Sequence, residues 1–132
     1  MMRVLDTNTV IHYFKGLGRV AERLLATPPS QVRVPSLVVY ELEVGIQKAN
    51  EPQKRREQLR VLLASMAVLP FHVREAEVAA KVKMELEARG TPIGPMDVLI
   101  AGTALAHGAT LITRNTREFE RVDGLRVENW YD

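Results

Sequence analysis

Short apolar runs along the chain alternate with longer stretches in which apolar residues recur at helical spacing. The runs read as strands, and they are Arg3–Leu5, Gln31–Pro35, Val68–Phe71, Ala109–Thr113 and Leu125–Glu128. Each is short and rich in β-branched or aliphatic residues, as expected of strands buried on both faces.

The stretches between the runs have the caps and terminators of helices. The predicted helices run from Asn8 as cap to Gly16, over Arg19–Ala26, from Ser36 as cap, over Glu51–Met66, over Val73–Arg89, and from about Met96 to His107. Strands separated by helical crossovers predict an α/β fold with a mainly parallel sheet covered on both faces.

Composition limits the classes of protein that the chain can be. With 132 residues, 46% of them hydrophobic and 26% charged, residues 1–132 are expected to form one globular domain. The absence of cysteine excludes disulfides and thiolate zinc sites and fits a cytoplasmic protein. No segment resembles a signal peptide or a membrane span, so no membrane partner is expected.

Four carboxylates occupy positions where such a fold would bring side chains together. They are Asp6, Glu41, Asp97 and Glu118. Ligands of open α/β sheets bind at the carboxyl ends of the strands, where these residues are expected. Carboxylates this close repel each other, by about 4 kcal/mol per pair at 4 Å and an effective dielectric constant of about 20. A divalent metal ion is the simplest compensation.

Each carboxylate also has an ordinary structural explanation. Asp6 can cap a helix, Asp97 sits where a helix dipole favours an anion, and Glu118 can be a solvated helix charge. Glu41 is harder to explain in this way, because it lies between Tyr40 and Leu42 on an otherwise apolar face. The metal-site hypothesis rests on the four occurring together.

Four segments resemble the PIN-domain ribonucleases and, more narrowly, the VapC toxins of bacterial toxin–antitoxin pairs. The segments are DTN, ELEVG, PIGPMDVLIAGTALAHG and TRNTREFERVDGLRVENW, and the resemblance spans Leu5 to Trp130. It implies a three-layer α/β/α sandwich with a parallel sheet of about five strands. It also implies Mg²⁺-dependent cleavage of RNA, with Mn²⁺ as a substitute, in which Asp6, Glu41, Asp97 and Glu118 are catalytic.

Metal chemistry gives each carboxylate an expected role. Asp6 and Asp97 are expected to bind the metal directly, while Glu41 and Glu118 hold waters or complete a weaker second site. Supporting polar side chains are expected from Asn8 and Thr113, and from Asn115. Thr7 and Asn8 are placed to hydrogen-bond the Asp6 carboxylate or a metal-bound water.

RNA must also be held, and the arginines beside the last motif are the candidates. Arg114 and Arg117 lie close in sequence to Glu118 and are expected to contact phosphates. His12 follows Asn8 by one helical turn, and a plain surface histidine is the more ordinary interpretation there. The family resemblance favours structured RNA, in particular transfer RNA, as the substrate, with inhibition of translation as the outcome.

The resemblance also implies partners. A VapC-like toxin pairs with a small VapB-like antitoxin that blocks the pocket, and family members commonly form homodimers. The alternative function is a non-catalytic PIN-like or receiver-like module that binds a protein through its acidic pocket. A receiver domain would need a phosphoacceptor Asp after its third strand, and the segment AVLPFHV contains none.

Overall fold

Five short strands form one sheet at the centre of the protein. In the computed structural model, which describes residues 1–132, all neighbouring strands are parallel and their order is β3-β2-β1-β4-β5. The strands are β1 (Arg3–Leu5), β2 (Val32–Pro35), β3 (Ala67–Leu69), β4 (Thr110–Ile112) and β5 (Arg126–Glu128). The predicted parallel sheet of about five strands is confirmed.

Seven helices connect and cover these strands. They are α1 (Thr7–Lys15), α2 (Val20–Leu25), α3 (Ser36–Lys48), α4 (Pro52–Ser65), α5 (Val73–Ala88), α6 (Pro95–Ala106) and α7 (Thr116–Phe119), with one 3₁₀ turn at Pro29–Gln31. The result is the predicted α/β sandwich. None of the helices combines the length and apolar composition needed to span a bilayer.

The strand order places a ligand crevice beside β1. The chain begins in the middle of the sheet, adds β2 and β3 on one side, and then returns to add β4 and β5 on the other. The order therefore reverses between β1 and β4, and open parallel sheets bind ligands at the carboxyl ends of the two strands on either side of such a reversal. Receiver domains have a different order, 2-1-3-4-5, so the receiver-like alternative does not fit.

The core explains why the strands are so apolar. Val4, Val34 and Leu111 are completely buried in the centre of the sheet. Helix α6 is the most deeply buried helix, and it lies so close to α5 that a Cβ added to Gly102 would stand 2.6 Å from the Ala79 Cα. Glycine at this position allows the close approach of the two helices.

Two predicted helix caps were wrong. Asp6, and not Asn8, is the N-cap of α1, and its carboxylate accepts a 2.8 Å hydrogen bond from the Thr9 backbone N–H. Ser36 is already the first residue of α3 and provides no cap, because the preceding Pro35 takes the cap position. The carboxylate of Asp6, two residues earlier in the chain, takes the cap position in place of the asparagine.

Two further boundaries differ from the sequence prediction. Strand β3 ends at Leu69 rather than Phe71, since Pro70 has no N–H to continue a ladder. The buried stripe of α5 contains Val82 and Leu86 as predicted, but Val78 is only partly buried and a charged residue, Glu75, is buried instead.

Candidate active site

Asp6 lies where β1 ends and α1 begins, at the strand reversal. Its backbone N–H donates to the Ile112 carbonyl at 3.1 Å, which continues the pairing of β1 with β4 by one residue. The side chain is 7% exposed, and the cap to Thr9 uses only one of its two carboxylate oxygens. The capping role of Asp6 therefore leaves its second carboxylate oxygen available to a ligand.

Asp97 shows the strongest electrostatic effect of the four acids. It lies in the first turn of α6 and is partly buried. Burial raises the pKa of Asp97 to about 7, together with a hydrogen bond to Glu118 and the negative charges of Glu118, Asp6 and Glu41. The four predicted carboxylates are thus close enough for each of the other three to act on Asp97.

Glu118 is fixed by donors on both of its oxygens. The Asn115 side-chain amide donates to Oε2 at 2.6 Å and the Gly94 backbone N–H to Oε1 at 3.3 Å. Burial works to raise the pKa of Glu118, but these two bonds and the bond with Asp97 outweigh it and hold the pKa below its ordinary value. The pKa values of the two carboxyls are therefore shifted in opposite directions, that of Asp97 upwards and that of Glu118 downwards.

Glu41 approaches the site from α3 and is oriented by Thr7. The Thr7 hydroxyl donates to Glu41 Oε1 and not to the Asp6 carboxylate, one of its two predicted partners, while a bond to a metal-bound water stays a prediction. The backbone of Thr7 is already inside α1, and its side chain is therefore directed towards the neighbouring helix rather than back to its own cap. Glu41 also lines an apolar groove together with Ile11, Leu42 and Ile46.

The predicted supporting residues occupy different places around the acids. Asn8 is exposed on α1 and lines the cavity next to Asp6. Thr113 is completely buried, and its hydroxyl accepts the Asn115 backbone N–H at 3.0 Å. Thr113 therefore shapes the turn that carries Asn115, and Asn115 in turn holds Glu118.

An entirely polar cavity of about 400 Å³ opens beside Asp6. It is lined by Asp6, Asn8, His12, Arg114 and Asn115. Arg114 and His12 both line this cavity, and the predicted contact of Arg114 with RNA phosphates stays a prediction. Arg117 is exposed on α7 and does not line the cavity, so its contact with RNA stays a prediction.

Tyr131 is a neighbour of the cavity that the sequence did not reveal. The Arg114 guanidinium carbon lies 3.5 Å from the centroid of the Tyr131 ring, and the His12 ring meets the same ring edge-on, with 4.8 Å between centroids. These contacts join the two ends of the chain. No local pattern of residues signals such a contact in advance.

The donor set fits a hard divalent cation. No three acidic or histidine side chains converge tightly enough to hold an ion between them. Mg²⁺ does not need such a cage, because it commonly binds through one or two carboxylates and keeps several waters. Asp6 and Asp97 would supply the carboxylate oxygens for such an ion, at a place where four acidic side chains act on one another.

Comparison with known proteins gives the family. The PIN domain family matches residues 3–125. The chain belongs to the PIN-domain family. Within it, this PIN-domain chain is 32% identical over 127 residues to the tRNA(fMet)-specific endonuclease VapC of Salmonella typhimurium, with 96% of each protein covered.

Solved structures agree with this assignment. The crystal structure of DNA-bound VapBC from Salmonella typhimurium matches with a TM-score of 0.91, 33% identity and 98% of each chain covered. VapBC2 from Rickettsia felis, bound to a DNA fragment from its promoter, also matches with a TM-score of 0.91, at 29% identity over 98% of this chain and 99% of the other. The resemblance to PIN-domain, VapC-type toxins predicted from sequence is confirmed.

Proposed function

We propose that this PIN-domain protein is a Mg²⁺-dependent endoribonuclease toxin that hydrolyses phosphodiester bonds of structured RNA. The observation that supports this most directly is the burial of Asp97 beside three other carboxylates, which together raise its pKa to about 7. Carboxylates with a raised pKa in a ligand crevice are typical of functional sites, and a divalent cation would compensate their charge.

The acidic side chains and their hydrogen-bond partners have different proposed roles in such a site. When bound, the metal would lower the pKa of a water and neutralise phosphate charge. Asp6 and Asp97 are the proposed ligands. Asn115 orients Glu118 and Thr7 orients Glu41, so that both glutamates are held in place to accept hydrogen bonds from waters.

The substrate class rests on the relatives and on the basic residues. The Salmonella typhimurium relative is named for cleavage of tRNA(fMet). We therefore propose transfer RNA as the substrate class and inhibition of translation as the consequence. Arg114 at the cavity and Arg117 on α7 supply positive charge for phosphates.

Cleavage of end-labelled total transfer RNA by the purified protein, free of antitoxin, tests the proposal. Discrete fragments are expected with Mg²⁺ or Mn²⁺ and none with EDTA or with Asp97→Asn. Attack by water predicts 5′-phosphate and 3′-hydroxyl ends. Fragments that form equally in EDTA, or that end in 2′,3′-cyclic phosphates, would contradict it.

A VapB-like antitoxin is the proposed protein partner. The matching crystal structures contain VapBC complexes. The groove that Glu41 shares with Ile11, Leu42 and Ile46 is mainly apolar, with Lys15 and Arg55 also in its lining, and Glu41 connects it to the acidic site. We propose that a mainly apolar antitoxin segment lies in it. The homodimer predicted from the sequence stays a prediction.

Gly45 allows a clean test of this groove. It lines the groove, and a Cβ added there meets no atom within 4 Å. Gly45→Gln should therefore fold normally, obstruct the groove and weaken co-purification with the antitoxin, while Gln47→Ala on the same helix should not. Full antitoxin binding by the Gly45→Gln protein would rule out this docking site.

A further inference from the structure

Two residues of the polar cavity depend on one aromatic side chain outside it. Arg114 lies over the face of the Tyr131 ring and His12 touches the ring's edge. Both residues also line the cavity that contains Asp6. A single side chain from the last residues of the protein thus supports part of the cavity wall.

Tyr131 is itself held independently of the cavity. Its carbonyl accepts a 2.8 Å hydrogen bond from the Arg19 backbone N–H, and its own N–H donates to the Asn129 side chain at 2.8 Å. The preceding Trp130 is 2% exposed and fixes the segment in the core. Gly18, at φ +62°, passes so close that a Cβ there would stand 2.6 Å from the Tyr131 carbonyl oxygen.

Arg114 is chemically suited to bind an anion in this setting. Its guanidinium forms no ion pair with a carboxylate, whereas Arg19, Arg56, Arg60 and Arg89 each do. Stacking on a ring uses the face of the guanidinium and leaves its N–H edges able to donate to a phosphate.

His12 contributes its ring to the wall of the same cavity. Its Nδ1 atom is buried and has no hydrogen-bond partner in the protein, so the contact with Tyr131 is the interaction that the structure gives the ring. Asn8 and Asn115 add amide groups to the same cavity.

We propose that Tyr131 is a positioning residue that holds Arg114 and His12 as a subsite for the RNA phosphate next to the one that is cleaved. The scissile phosphate lies at the carboxylates, and its neighbour along the strand lies against Arg114. The subsite fixes the register of the backbone and is not itself part of the bond-breaking step. This inference rests on the ribonuclease function proposed above.

Binding of end-labelled transfer RNA at increasing salt concentration tests the subsite. The measurement uses the Asp97→Asn background, so that RNA is bound without being cut. Adding Arg114→Gln or Tyr131→Leu should each weaken binding about tenfold and reduce the slope of log K against log salt by about 0.7–0.9, as for one lost phosphate contact. Tyr131→Phe, which keeps the aromatic ring, should bind RNA as tightly as the Asp97→Asn protein without a further change.

Two further comparisons separate positioning from a general charge or folding effect. Combining Arg114→Gln with Tyr131→Leu should weaken binding no more than either alone, because both remove the same contact. Arg126→Ala is the control for loss of one positive charge. Arg126 lies at the amino ends of the strands, opposite to the site, and bonds the Gly108 carbonyl, so this variant should leave the slope of log K against log salt unchanged. Arg114 is exposed, so its variant remains informative even if Tyr131→Leu unfolds.

The outcomes distinguish this inference from the proposed function. An unchanged slope in Arg114→Gln, or fully additive losses in the double variant, would overturn the subsite even if the wild-type protein cleaves transfer RNA. In the cleaving protein, Tyr131→Leu should raise KM about tenfold and change kcat little. A protein that shows the predicted slopes but cuts no RNA with Mg²⁺ would instead contradict the nuclease function.

Discussion

Glu75 is a buried carboxylate on α5 and Asp97 a partly buried one on the adjacent helix α6, yet the groups around them have opposite effects on their charged forms. Glu75, on α5, is 5% exposed, accepts the His72 backbone N–H at 2.8 Å and pairs with His107 at 3.0 Å. Asp97, on α6, faces three other carboxylates.

The pKa values follow this difference. The hydrogen bond from the His72 backbone lowers the pKa of Glu75 and, with the smaller contribution of His107, outweighs the opposing effect of burial. The pKa of Asp97 is raised to about 7 by burial and by its acidic neighbours. The protein compensates the charge of Glu75 with hydrogen-bond donors, whereas in the proposed function the charge of Asp97 is compensated by a metal ion.

The largest expected difference between the two residues is in catalysis. Asp97→Asn should reduce kcat/KM for RNA cleavage at least about 1000-fold, which corresponds to about 4 kcal/mol of transition-state stabilisation. Glu75→Gln should keep activity within a few-fold, measured per folded molecule. Equal losses in both variants would remove the distinction between them.

A smaller loss is expected when the orientation of an acid is disturbed. Asn115→Ala removes the donor to Glu118 Oε2 and should lower activity about 10–100-fold, with a higher Mg²⁺ concentration needed for half-maximal rate. Asn50→Ala, in the loop between α3 and α4, serves as the control. Unaltered Mg²⁺ dependence in Asn115→Ala would show that Glu118 needs no such support.

At a fixed pH, the free energy of unfolding should fall when Glu75 is changed. Glu75→Gln weakens a charged hydrogen bond and the pairing with His107, so the free energy of unfolding should fall by about 1–2 kcal/mol in urea titrations. His107→Ala should destabilise by a similar amount, and the two changes should not add fully. Full additivity would mean that the two side chains act separately.

The pH dependence of metal-free stability should have opposite signs at the two residues. The pKa of Asp97 in the folded protein is above its ordinary value of 3.8, so protonated Asp97 contributes to the free energy of unfolding at low pH. This contribution is lost as pH rises towards and through about 7. The lowered pKa of Glu75 contributes stability above its ordinary value of 4.5, and this is lost as pH falls. Thermal melts between pH 5 and pH 8 should show that the wild type loses stability with rising pH relative to Asp97→Asn. If the melting temperatures of the two proteins change with pH in parallel, the contribution of Asp97 is contradicted.

Much of the fold followed from local signals in the sequence. All five strands were expected near their observed positions, since short apolar runs bounded by Pro, Gly and polar residues mark buried parallel strands. The four acids were found because each follows a strand or starts or occupies a helix in a recognisable segment. The first residue of a helix is predicted less accurately: the cap of α1 was expected at Asn8 and lies at Asp6, two residues earlier.

Contacts between distant parts of the chain were not predictable in the same way. The pairing of Glu75 with His107, the bond from Thr7 to Glu41 and the stacking of Arg114 on Tyr131 each depend on how elements pack, which no local spacing encodes. His12 was visible as a polar residue one turn beyond Asn8, but its place in the cavity required the course of the C-terminal segment.

Proton release on metal binding tests the central claim most directly. If a divalent cation replaces the proton that the acidic group holds, Mn²⁺ titrated calorimetrically into the wild-type protein in two buffers of different ionisation enthalpy should release about half a proton at pH 7. The release should decline towards pH 8.5 and be absent in Asp97→Asn. Mn²⁺ binding without proton release, or with the same release in the variant, would contradict a metal site at these carboxylates.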